Sequence, residues 1–304
     1  MTALRPAPKE LVILSGKGGT GKTSLVAAFA ALAERKVLAD CDVDAADLHL
    51  LLQPEVRRRG TFSGGAKAVV RAQDCIGCGA CLARCRYDAV RREGGGAGDA
   101  RFAVDPLLCE GCGVCVWSCP VKAIDFQPQT GGEWFVSDTR HGPMVHARLG
   151  VAQENSGKLV TVVRREAARL AAERHLDTVI IDGPPGIGCP VIASIGGTTL
   201  VLIVTEPTVS GLHDLERVAQ LAAHFKVRAM LCVNKSDLNS EMTATIRRFA
   251  AEKHLDVAGE VPYDTTATRA QLSGQSVMEF EPEGALARAV RLVWDVVRQA
   301  LGRT

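Results

Sequence analysis

Two stretches of this 304-residue chain carry residue types whose spacing could do chemistry: Ser15 to Thr23, and the segment Cys75 to Cys119, which holds eight of the 11 cysteines. The first reads Ser15-Gly16-Lys17-Gly18-Gly19-Thr20-Gly21-Lys22-Thr23 and satisfies G-x-x-x-x-G-K-T. Its glycines let the backbone turn tightly, so that the N–H groups of Gly16, Gly18, Gly19, Thr20 and Gly21 converge on phosphate oxygens at the positive end of a helix. Lys22 would reach the β- and γ-phosphates of a nucleoside triphosphate, and Thr23 would offer its hydroxyl to Mg²⁺.

The second stretch contains C-x₂-C-x₂-C-x₃-C twice, as Cys75, Cys78, Cys81, Cys85 and as Cys109, Cys112, Cys115, Cys119 followed by Pro120. The doubled motif is the bacterial two-cluster ferredoxin pattern, in which each fourth cysteine ligates the other 4Fe–4S cluster. One cluster should therefore take Cys75, Cys78, Cys81 and Cys119, and the other Cys85, Cys109, Cys112 and Cys115. Paired C-x₂-C also binds zinc, but a third and a fourth cysteine at fixed spacing, twice over, favour iron–sulfur. Clustering of this kind suits metal ligation in a reducing compartment better than disulfides. The first motif departs from the usual pattern, with Arg86 where proline commonly follows the fourth cysteine. Cys41 and Cys232 lie in expected strands and read as small buried hydrophobes, whereas Cys189 stands beside a Gly-Pro segment.

The elements that must position these residues follow from apolar runs. Strands are expected at Leu11–Leu14, Val37–Asp40, Met144–Arg148, Thr178–Asp182, Thr199–Thr205, Ala229–Asn234 and Val257–Val261, with helices near 21–34, 158–174, 210–225, 240–253 and 284–301. Continuous apolar strands such as Val179-Ile180-Ile181 suit a mostly parallel sheet covered by helices on both faces. The rhythm breaks after residue 56, at Arg57 to Arg59 and Gly60, Gly64 and Gly65. The expected organisation is thus one α/β P-loop domain, residues 1–56 and 129–304, interrupted by a small ferredoxin-like α+β insert at 57–128.

With its second lysine, Lys17, the loop resembles the deviant phosphate loop of the MinD/ParA/nitrogenase iron protein group. That resemblance implies an ATP-dependent homodimer in which Lys17 reaches the partner's nucleotide. Asp40-Cys41-Asp42 resembles switch I, implying Asp40 near Mg²⁺ and Asp42 orienting the attacking water. Asp182-Gly183-Pro184-Pro185-Gly186 resembles Walker B and switch II, implying Asp182 at Mg²⁺ and a Gly186 N–H that senses the γ-phosphate. Asn234-Lys235 resembles the base-recognition segment, with Asn234 on the purine. In the same family, cysteines in the region of Cys189 ligate a cluster that bridges the dimer.

The whole chain resembles the ferredoxin-inserted branch of these ATPases, often named after cobyrinic acid a,c-diamide synthase, including the stretch Glu154-Asn155-Ser156-Gly157-Lys158. Asn155 or Ser156 could also simply cap the following helix. The preferred reading is an ATPase with slow turnover that couples nucleotide state to electron delivery, through two 4Fe–4S clusters, to a partner metalloprotein. A cluster carrier handing Fe–S to an acceptor protein and a MinD-like positioning ATPase are the alternatives. The amide-ligase activity in the inherited name would need an ammonia source for which the chain has no glutaminase-sized region.

A net charge of +2 gives no electrostatic case for nucleic acid. No apolar run approaches the ~20 residues of a membrane span, and the N-terminal MTALRPAPKE has no apolar export segment, so a cytoplasmic protein is expected.

Overall fold

The computed structural model describes residues 7–94, 100–150 and 155–302. Its elements run β1 (Lys9–Ser15), α1 (Lys22–Leu32), β2 (Lys36–Asp40), α2 (Leu48–Leu52), β3 (Glu55–Val70), α3 (Ala80–Arg84), β4 (Val90–Glu93), β5 (Arg101–Val104), α4 (Val114–Ser118), β6 (Ile124–Thr139) and β7 (Gly142–Leu149). They continue with α5 (Ser156–Glu173), β8 (Thr178–Pro185), α6 (Cys189–Ile195), β9 (Leu200–Thr205), α7 (Val209–His224), β10 (Ala229–Asn234), α8 (Ser240–Glu252), β11 (Asp256–Val261), α9 (Thr266–Leu272), α10 (Val277–Phe280) and α11 (Ala285–Gly302).

The main sheet has the order β11-β10-β9-β1-β8-β2-β7-β6-β3. Its strands from β11 to β7 pair in parallel. Strands β1, β8 and β9 are apolar runs buried on both faces, because helices cover each side. Helix α11 packs Leu286, Val290, Val293, Trp294 and Val297 into the core, and Trp294 meets Phe29 of α1 at a centroid distance of 5.0 Å. That spacing is the apolar stripe of a docked amphipathic helix. No helix among the described residues is long and apolar enough to cross a membrane.

Two compact units emerge. One comprises the described residues up to Gly60, Glu133–Arg148, and those from Ser156 onward; the other comprises the described parts of Thr61–Gly132 and Leu149–Asn155. Strands β3 and β6, 16 residues each, run from one unit into the other. The break expected at Gly60, Gly64 and Gly65 is instead continuous strand. The glycines are spaces taken by aromatic rings: a Cβ at Gly60 would lie 2.4 Å from the Trp134 ring, and one at Gly64 2.4 Å from the Phe62 ring. Glycine inside a strand commonly marks such a close approach.

In the second unit a strand, a short helix and a strand (β3, α3, β4) are followed by the same sequence of elements (β5, α4, β6). Strands β4 and β5 pair antiparallel. Of the stretch Glu154–Lys158, Glu154 lies outside the described residues. Asn155 has φ 76°, and its side chain stands against Gly64 and Gly65.

Candidate functional site

Strand β1 delivers the chain into the loop Ser15–Lys22, and α1 starts at Lys22 behind Gly21, whose φ is 88°. Gly21 is constrained twice over, since a Cβ there would also lie 2.3 Å from the Asn234 amide nitrogen. That nitrogen donates to the Thr20 carbonyl at 2.7 Å, so Asn234 is tied to the loop from the end of β10. Thr23 is the second residue of α1 and is half-buried.

Three carboxylates meet beside this loop at the carboxyl ends of neighbouring strands. Asp40 of β2 and Asp182 of β8 are register partners, and Asp42 follows β2 directly. The Lys22 ammonium stands 2.6 Å from Asp182 Oδ1 and 3.5 Å from Asp42 Oδ2, while Asp40 Oδ1 accepts the Asp42 N–H at 3.2 Å. Burial works against the charge on Lys22, yet the carboxylates of Asp182, Asp42 and Asp40 outweigh it and raise its pKa. Burial, reinforced by the Asp182 charge, pushes Asp40 well up, and burial raises Asp42. Asp40 Oδ2, Asp182 Oδ2 and Thr20 Oγ1 are buried with no hydrogen-bond partner. Two unpartnered carboxylate oxygens on adjacent strands suit a hydrated divalent cation, which takes oxygen ligands.

Lys17 pairs with Glu206 of its own chain at 2.5 Å and donates to Ser210 Oγ at 3.2 Å. Lys235 reaches the same Glu206 at 3.1 Å and the Gly19 carbonyl at 3.1 Å. Although burial opposes it, the two lysines hold the Glu206 carboxyl below its usual range. The Gly186 N–H donates to the Ser15 carbonyl at 2.9 Å in this conformation. Cys189 opens α6 and is exposed; Cys41 and Cys232 are fully buried, and burial pushes the Cys232 thiol up to about 12.

A cavity of about 260 Å³ adjoins the loop, lined among others by Gly19, Gly21, Asn234, Tyr263, Asp264 and Gln271. Pro262-Tyr263-Asp264 and Gln271 did not stand out in the sequence. The one available signal is that Pro262 follows the carboxyl end of a parallel strand, where ligands of such sheets bind.

In the other unit the cysteines part into two groups. Cys75, Cys78, Cys81 and Cys119 line one small cavity, and Cys85, Cys109, Cys112 and Cys115 line a second. The two halves repeat each other locally. Gly77 and Gly111 adopt φ 70° and 63°, and their Cβ atoms would strike the carbonyl oxygens of Ala100 and Ala66 at 2.5 and 2.3 Å. Left-handed Gly79 and Gly113 then start α3 and α4, and the fourth cysteine of each motif follows in extended backbone. The Ala123 N–H donates to Cys119 Sγ at 3.2 Å. Among the described residues, no three His, Cys, Asp or Glu side chains converge closely enough to hold one metal ion.

The family model described as the CobQ/CobB/MinD/ParA nucleotide binding domain matches residues 11–277. The uncharacterized protein MJ0578 of Methanocaldococcus jannaschii is 34% identical over 235 residues, which are 76% of this chain and 79% of that protein. Among solved structures, the septum site-determining protein MinD of Pyrococcus horikoshii complexed with Mg-ADP superposes with a TM-score of 0.60 at 15% identity, covering 97% of this chain and 98% of that one. The MinD cell division protein of Aquifex aeolicus gives a TM-score of 0.55 at 18% identity, covering 97% of this chain and 98% of that one. At these identities the two superpositions establish the fold. With the family model matched over most of its length, this chain belongs to the CobQ/CobB/MinD/ParA family of nucleotide-binding P-loop ATPases.

Proposed function

We propose that the protein couples ATP hydrolysis in a homodimer to electron transfer through two 4Fe–4S clusters to a partner metalloprotein. One observation carries this reading. Each cavity in the cysteine-bearing unit is lined by three cysteines of one motif and the fourth of the other. That interleaving is what two cubes held by a doubled motif require. Bound there, the clusters would supply one-electron redox chemistry.

On the nucleotide side, Lys22 would exchange Asp182 for the β- and γ-phosphates. Thr23, Asp40 and Asp182 would hold Mg²⁺, the last two through the oxygens that lack partners. Asp42 would orient a water for attack on the γ-phosphorus; the bond from that phosphorus to the β–γ bridging oxygen breaks, giving ADP and phosphate. Lys17 would leave Glu206 to reach the partner's nucleotide, and Asn234 with Tyr263 and Asp264 would receive the base. The Gly186 N–H would turn from Ser15 to the γ-phosphate. A ligand shifts a conformational equilibrium only by binding its states differently, and that exchange of partners supplies the difference. Gly157 of α5 packs on the Cys189 backbone just after this segment, and α5 is continuous in the chain with the cysteine-bearing unit.

The test is an oxygen-free preparation assayed for iron and acid-labile sulfide, then titrated by EPR with and without ATP. The expected result is roughly eight irons and eight sulfides per chain and reduced-cluster signals that change with nucleotide. Protein without iron, or spectra and potentials indifferent to ATP, would rule the coupling out.

A further inference from the structure

The cavity beside the phosphate loop is also lined by Gln275, Ser276, Val277 and Leu51, which lie far in sequence from the loop. None of these residues offers a charged group to a ligand, so something else must hold them in place. Arg140, in the two-residue turn between β6 and β7, does so with one guanidinium. Its Nη2 donates to the Leu51 carbonyl at 2.7 Å and to the Gly274 carbonyl at 2.9 Å. Its Nε donates to Glu279 Oε1 at 2.5 Å, and Nη2 also reaches Glu279 Oε2 at 3.1 Å.

Glu279 in turn accepts both the backbone N–H and the hydroxyl of Ser276 at 2.8 Å, and so caps α10. One planar fork thus joins the end of α2, the turn after α9 and the start of α10, segments that contribute Leu51, Gln275, Ser276 and Val277 to the cavity lining. Lysine's single ammonium nitrogen has three donors, but it cannot reproduce the Nε and Nη2 pair that meets the two Glu279 oxygens in a fixed fork geometry.

We infer that Arg140 is a positioning residue for nucleoside binding: it touches no ligand itself, and it fixes the lining against which the base and ribose pack. The inference rests on the reading of this cavity as the nucleoside site. It separates Arg140 from the phosphate loop, since none of its partners belongs to residues 15–23.

The experiment compares Mg²⁺ with a non-hydrolysable ATP analogue and Mg²⁺ with inorganic tripolyphosphate, which has the phosphates but no nucleoside, by calorimetric titration of the full chain. Arg140→Ala should weaken the analogue about tenfold, as expected for lost charge-assisted hydrogen bonds, and leave tripolyphosphate within about twofold of the parent. Arg140→Lys should fall between parent and Arg140→Ala. Glu279→Gln, which keeps one acceptor oxygen but replaces the other with an amide donor and loses the charge, should shift the analogue in the same direction by less, and it carries the test should Arg140→Ala fail to fold. Equal weakening of both ligands, or of neither, overturns the assignment. A parent protein that binds the analogue no more tightly than tripolyphosphate overturns instead the reading of the cavity, and the inference falls with it.

Discussion

The nucleotide unit buries whole strands and helices: β1, β8 and β9 are inaccessible along most of their length, and α1 and α11 close over one face through Phe29 and Trp294. Among the described residues, the hydrophobic cluster of the cysteine-bearing unit is small, comprising Ala68, Cys81, Ala89, Val90, Phe102, Cys109 and Ile124, of which two are cysteines. Its other motif cysteines are half-buried or exposed, and Leu107 and Trp117 are open to solvent at 79% and 93%. A segment of that size cannot bury enough apolar surface to offset the entropy of ordering its chain without a staple. The difference teaches that one unit is stabilised by packing and tolerates charges at its strand ends, whereas the other, on the proposed reading, would depend on clusters held by its cysteines.

The largest effect that could break this contrast is loss of the staple. Replacing Cys81 and Cys115 together by alanine, or withdrawing iron with a chelator, should lower hydrogen-exchange protection across residues 101–126 by about 100-fold or more. Protection of Thr178–Pro185 should be unchanged. A metal-free unit that stays protected would mean that its few apolar residues suffice.

Next in size is Lys22→Ala. Losing the lysine should cut ATP turnover on the order of 100- to 1,000-fold, the range for removing one preorganised electrostatic group. It also leaves buried Asp40 and Asp182 facing each other, which should cost about 3 kcal/mol of stability. Adding Asp182→Asn should recover part of the stability and none of the turnover, read by chemical denaturation and phosphate release.

The smallest effect is a pH dependence in the nucleotide unit. His146 on β7 lies 2.9 Å from Ser137 Oγ and stacks on Phe135. Burial, aided by the charge of His49, lowers its pKa from 6.5 to about 4. The unfolded chain therefore binds the proton more readily, so the stability from this group is complete above about pH 6.5 and is lost as pH falls toward 4. The expected loss is about 2 kcal/mol after allowance for partial exposure, and His146→Gln should flatten that part of the profile in denaturation curves.

Legibility in the sequence followed the range of the interactions. The phosphate loop, the carboxylates ending β2 and β8, and the helices of 11 residues or more show in local spacing. Helices α2, α6, α9 and α10 did not, because 4–7 residues are too few to display a helical period. Strands β3 and β6 were obscured by Gly60, Gly64 and Gly131, since glycine reads as a turn until the ring that fills its space is known.

Residue types and their spacing alone determined a phosphate-gripping loop, a mostly parallel α/β sheet and eight cysteines in two matched motifs. Only the tertiary structure decided that Asp40 faces Asp182, that Lys17 rests on Glu206, and that Arg140 grips Leu51, Gly274 and Glu279. Local patterns record which backbone conformations a segment prefers. These pairings join residues tens to more than a hundred positions apart, and strand order and register alone bring them together.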